Sequence, residues 1–229
     1  MRIWDIHPGY LNDQSLLGEH RELHGIVSII KNRKLGYSRH PETLRWKTCG
    51  WALRQRHALL CAEMALRGFS EKTRVHLRAR PHCWPETYLD LPCAQYLLLA
   101  AKYRDKRPGR IPLPRNAQEL WAQHKYSVMA RDPRRYARIG REVAALRKSA
   151  DWCALADELV STLRQPPARG NLCNAIEHMW GYVSPYTEGS GIDTRKPCSL
   201  LRYTQLLAHR HNVTYLLSST ALSELAAWL

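Results

Sequence analysis

The chain has 229 residues, long enough for one large domain or two small ones. Its 35 Lys+Arg stand against 20 Asp+Glu, a formal net charge of +15 weighted towards arginine, whose planar fork suits phosphate oxygens and base edges. The excess favours a polyanionic partner, because each neutralised phosphate releases counterions, and no apolar run approaches the length of a bilayer span.

Helical signals run through almost the whole chain. Asn12 or Asp13 can cap a first helix whose apolar positions Leu16, Leu17, Leu23, Val27 and Ile30 recur at helical spacing. Lys31, Arg33 and Lys34 suit its C-terminal dipole, and Gly36 is the expected stop. A loop rich in donors and aromatic faces is expected over 37–46, with Tyr37 and Trp46, flanked by Arg39, His40 and Arg45, as the candidates for base stacking. A second helix is expected over 51–67, turning Leu53, His57, Leu60 and Met64 to a core and stopping at Gly68. A proline-rich loop follows over 74–92, then a helix over 93–104.

The charged stretch 102–114, with its prolines and Gly109, is the natural boundary. The expectation is an all-α protein of two helical domains, residues 1–110 and 111–229. The first carries 20 Lys+Arg and 10 Asp+Glu, the second 15 and 10, so the first is the stronger electrostatic footprint. Beyond the boundary, helices are expected over 117–131, over 133–148 behind an Asp132 cap with Pro133 at the first turn, over 151–163, 169–183 and 199–209, and from Ser218 onward. The polar segment 184–197 reads as a loop.

Seven cysteines are scattered, odd in number and never spaced C-x-x-C, and no secretory signal precedes them. They read as reduced thiols of a cytoplasmic protein. His76, His82 and Cys83 lack a second ligand pair at zinc-like spacing, so no metal centre is expected.

The opening Met1-Arg-Ile-Trp-Asp-Ile-His-Pro-Gly-Tyr-Leu-Asn-Asp-Gln-Ser-Leu-Leu-Gly-Glu-His-Arg-Glu-Leu-His24 and the stretch Leu53-Arg-Gln-Arg-His-Ala-Leu-Leu-Cys-Ala-Glu-Met-Ala-Leu-Arg-Gly-Phe-Ser-Glu-Lys-Thr73 resemble the pyrimidine-dimer DNA glycosylases of the phage endonuclease V type. The resemblance is closest over residues 1–73 and weaker to about 107. It implies that the terminal α-amine is the nucleophile and that Glu22 is its partner, 21 places from Met1 as in the family. Arg2 is too large for the usual removal of the initiator, so Met1 itself is expected to carry the amine. By pattern alone Glu22 is a solvated helix residue. The resemblance is what gives it a role.

A terminal amine titrates near 8, so a useful fraction is neutral and nucleophilic at physiological pH. Attack on the anomeric carbon displaces the base, leaves a Schiff base and permits strand scission by β-elimination, with Glu22 moving protons. Arg2, Gln14 and Arg21 fall on family positions that contact DNA, and His24, Arg39, Arg45 and His57 complete the expected DNA-binding set. Two departures stand out: the family's histidine after the glutamine is Ser15, and a family arginine has become Gly25.

Leu120-Trp-Ala-Gln-His-Lys-Tyr-Ser-Val-Met-Ala-Arg-Asp-Pro-Arg-Arg-Tyr-Ala-Arg-Ile-Gly-Arg141 and Arg169-Gly-Asn-Leu-Cys-Asn-Ala-Ile-Glu-His-Met-Trp-Gly-Tyr182 resemble a YbgA-like helical domain that bacteria often fuse to thiopyrimidine desulfidase domains. Lys125, Arg131, Arg134, Arg135, Arg138 and Arg141 place a cation about every turn, which suits a nucleic-acid grip or a solvated face alike.

The expected function is a DNA repair glycosylase with abasic lyase activity on damaged pyrimidines in duplex DNA, flipping or distorting the duplex to reach the sugar and needing no cofactor. The alternative is a non-catalytic nucleic-acid-binding protein, for tRNA or modified RNA, on a glycosylase-like scaffold. No membrane partner is expected.

Overall fold

Asn12 opens helix α1, Asp13–Asn32, by accepting the Ser15 amide on its side-chain oxygen at 2.9 Å. The computed structural model describes residues 1–77, 80–187 and 195–229, and among these residues there are helices and turns but no strand. The chain is all-α. It divides into two compact units, Met1–Gly109 and Arg110–Leu229. No helix among the described residues is long and apolar enough to cross a membrane.

In the first unit α1 buries Leu16, Leu23, Ile26 and Val27 and packs on α3, Gly50–Leu66. It stops at Arg33, which takes a left-handed φ of 51°, one turn before the expected glycine. The stretch expected as a loop contains helix α2, Pro41–Trp46. His40 caps it through Nδ1, Pro41 fits its first turn, and Thr43 and Trp46 bury against the core. Trp46 is 1% exposed and donates its indole N–H to Glu42, so it is a core residue and not a stacking platform. Gly68 ends α3 as expected, at φ 82°, and α4 spans Pro92–Lys102.

The N-terminal segment runs through this core. Ile3, Ile6, Tyr10 and Leu11 are fully buried, and a 3-10 turn spans Pro8–Tyr10. The backbone after α4 closes over that turn at Gly109, where a Cβ would lie 2.5 Å from the Tyr10 carbonyl carbon. Only glycine fits so close an approach.

In the second unit α5, Ala117–Met129, is the hub. It packs against α6, Pro133–Ala145; α7, Cys153–Leu163; α8, Arg169–Trp180; and a short α11, Ala221–Glu224. Helix α9, Pro197–Arg210, packs on α8. Asp132 caps α6 by accepting the Arg134 and Arg135 amides, as its sequence predicts. In place of one terminal helix there are three short pieces: α10, Thr214–Leu217, then α11, then a 3-10 turn at Leu225–Trp228. Of the expected 184–197 loop, residues 188–194 lie outside the described residues; a 3-10 turn occupies Ser184–Tyr186.

Candidate active site

Three arginines hold the main chain of the N-terminal segment at successive points. Arg45 donates to the Ile3 carbonyl at 3.1 Å, Arg56 to the Ile6 carbonyl at 2.8 Å, and Arg67 to the Gly9 and Leu11 carbonyls at 3.1 and 2.7 Å. Each carries a buried counter-charge. Asp5 and Glu42 pair with Arg45, Glu19 pairs with Arg56 through two bonds of 2.7 and 2.9 Å, and Glu63 pairs with Arg67. Buried charges need such partners to be tolerated. Burial pushes the Glu19 carboxyl up, against the pull of Arg56. Gln95 completes the clamp by accepting the Asp5 amide and donating to the Asp5 carboxylate.

This clamp positions the first peptide. Glu22, half-buried on α1, accepts the main-chain N–H of Arg2 on Oε2. The Arg2 guanidinium donates to Asp90 at 2.6 Å and lies over the Trp4 ring, 4.2 Å from its centre. The Met1 side chain rests beside Gly25, its Sδ 3.9 Å from where a Cβ would stand. The α-amine is thus one residue from the carboxylate expected to serve it.

The other expected DNA contacts fall into two groups. Gln14, Arg21 and Arg39 are exposed, as are Lys31, Arg33 and Lys34. Tyr37 is 71% exposed at the tip after α1, beside Leu35 at 91%. Arg45, by contrast, is enclosed: its side chain is 3% exposed and bound to Asp5 and Glu42. His24 and His57 meet one another, their Nε2 atoms 3.2 Å apart, in a cluster with His20 and Glu71. Burial and the neighbouring His24 and His20 push His57 down to about 4. Burial lowers His20 as well, and it raises the adjacent Cys61 thiol to about 12.

Among the described residues Cys49, Cys61, Cys83, Cys173 and Cys198 are free thiols, in line with the expectation for these five. In the second unit the row of cations is largely paired. Arg131 is buried against Glu224 at 2.5 Å, and Arg138 binds Glu142 and Glu158. Arg134 and Arg141 remain on the exposed side of α6.

The first unit is therefore a helical scaffold that clamps an extended N-terminal segment and brings its first peptide to a helix-borne carboxylate. Residues 1–77 match the family model described as pyrimidine dimer DNA glycosylase, and residues 125–194 match one described as a protein of unknown function (DUF1722). The two-part architecture expected from the sequence is this one. No curated protein and no solved structure matches the chain.

Proposed function

We propose that the first unit is a DNA glycosylase with abasic lyase activity on damaged pyrimidines, cyclobutane dimers among them, with the Met1 α-amine as nucleophile and Glu22 as its proton partner. The observation that carries this reading is the bond from the Arg2 amide to Glu22 Oε2. It brings the first peptide to Glu22, the carboxylate that the sequence resemblance implies as the amine's partner. The glycosylase-type match over residues 1–77 supports a DNA substrate.

The amine lone pair attacks C1′ and the bond from C1′ to the base nitrogen breaks, so the base leaves with the electron pair and takes up a proton. Glu22 delivers a proton to the ring oxygen as the sugar opens to an iminium, and its carboxylate can then accept the C2′ hydrogen while the 3′ phosphate departs. With an amine as the nucleophile, the sequence of steps needs no cofactor. Arg2, Gln14 and Arg21 approach the backbone of the duplex, while Arg39 with Lys31, Arg33 and Lys34 supplies phosphate contacts around Tyr37.

Borohydride reduction of the full chain on duplex DNA with an abasic site tests the reading. The adduct is expected on the Met1 peptide by mass spectrometry, from protein whose intact mass shows a free Met1 amine. An adduct on a lysine, or none at all, overturns it.

A further inference from the structure

We propose that His20, His24, His57 and Glu71 form a binding site for a divalent transition metal, zinc foremost, that ties α1 to α3 and to the segment after it. The site is independent of the glycosylase reading. Its donors come from three places in the fold. His20 and His24 are four apart on α1 and so share one face. His57 lies on α3, directly opposite, and Glu71 follows the turn at Gly68.

The donor atoms converge. One ligand atom from each of the four residues lies within 4.8 Å of all the others. The Nε2 atoms of His24 and His57 are 3.2 Å apart, and Glu71 Oε2 meets His20 Nε2. In a tetrahedral zinc site with bonds of about 2.0–2.1 Å, ligand atoms stand about 3.4 Å apart, so closing this set moves each donor by less than about 1 Å. The three imidazole rings already surround one point, with centroids 4.7, 5.2 and 4.9 Å apart. Imidazole with one carboxylate suits zinc and its neighbours in the first transition row, and does not suit magnesium or calcium, which prefer all-oxygen shells. The Cys61 Sγ lies beside the His57 ring, 3.6 Å from both Nδ1 and Nε2.

The helix separates this site from the proposed chemistry. At about 100° per residue, Glu22 stands about 200° around α1 from His20 and again from His24. The buried stripe of Leu16, Glu19, Leu23 and Ile26 runs between them. With four protein donors the coordination is closed, the pattern of a structural metal and not of one that binds substrate.

The test uses the untagged full chain, stripped with a chelator and then equilibrated with zinc or cobalt(II) alone. The expected result is about one zinc retained per chain after gel filtration, a rise in unfolding temperature on zinc addition, and a cobalt visible spectrum of tetrahedral intensity. Glu71→Gln changes a residue outside the helices, and His24→Gln conserves size. Each, with an unchanged far-UV circular dichroism spectrum, is expected to weaken zinc binding by about tenfold or more. Retention below about a tenth of an equivalent overturns the proposal. So does full retention by both variants, which would move the metal to other residues.

Discussion

Glu19 and Arg56 form a two-bonded ion pair that also touches the main chain they enclose: Glu19 accepts the Trp4 amide and Arg56 donates to the Ile6 carbonyl. Both side chains are almost fully buried. Arg56→Met leaves a buried carboxylate unpaired and is expected to lower stability by about 3–5 kcal/mol. The double variant Glu19→Met/Arg56→Met removes both charges and recovers part of that loss. Urea unfolding of the three proteins measures it, and an additive double variant would show that the two residues do not act as a pair.

Glu22→Gln keeps the hydrogen-bond acceptor for the Arg2 amide but cannot exchange protons. Duplex binding in a gel-shift assay is expected to hold, while strand scission falls by about 10²–10⁴-fold. Full cleavage by the folded variant would remove Glu22 from the mechanism.

Extending the chain by an uncleaved tag before Met1 moves the amine away from Glu22. Borohydride-stable adducts are expected to vanish even where DNA binding persists. The readout is a shifted band after reduction, and its survival would assign the nucleophile to a lysine.

Salt dependence separates the exposed cations from the enclosed ones. If four to six phosphates are neutralised, the log–log slope of binding lies at roughly −4 to −5. Lys34→Gln with Arg39→Gln, both exposed, flattens it by about 0.9 per lost contact. Arg45→Gln, buried against Asp5 and Glu42, leaves the slope unchanged and lowers the unfolding midpoint. A flattened slope for Arg45→Gln in folded protein would put its guanidinium on DNA.

Acid should weaken the second unit through His124, which burial pushes down to about 4. The ring is neutral in the fold, whereas in the unfolded chain it takes a proton near 6.5. The unfolded state therefore binds more protons below 6.5. Stability is complete above that pH and declines as pH falls towards about 4, by about 3 kcal/mol for this shift. Comparing His124→Gln with the parent chain by denaturation at pH 7 and pH 4.5 isolates the His124 part, and identical pH profiles would refute it.

The elements readable from sequence were those with local chemistry. The Asn12 and Asp132 caps, Pro133 at a first turn and Gly68 at a helix end all satisfy backbone groups within a few residues of themselves. Helix α2 escaped because His40-Pro41 reads as a turn, although the same pair caps a helix once Trp46 has a core to enter. The arginine clamp was illegible for a different reason. Arg45, Arg56 and Arg67 look like surface charge until the N-terminal segment lies across them, and that is a contact over 42 to 58 positions of chain. The same holds for His24 and His57, 33 positions apart, which the packing of α1 on α3 alone brings together. Glu22 stood out only through the family resemblance, since by pattern alone it is one more solvated position on α1.

The left-handed turn at Arg33 leaves Leu35 and Tyr37 standing in water, at 91% and 71% exposure. Exposed apolar side chains invite association between copies of a protein, yet here they are ringed by Lys31, Arg33, Lys34 and Arg39. Two such tips repel one another, so the cations act as a colloidal guard. It follows that neutralising them trades away solubility: light scattering of concentrated protein should rise for variants that lose this ring of charge, and high salt, by screening it, should do the same to the parent chain.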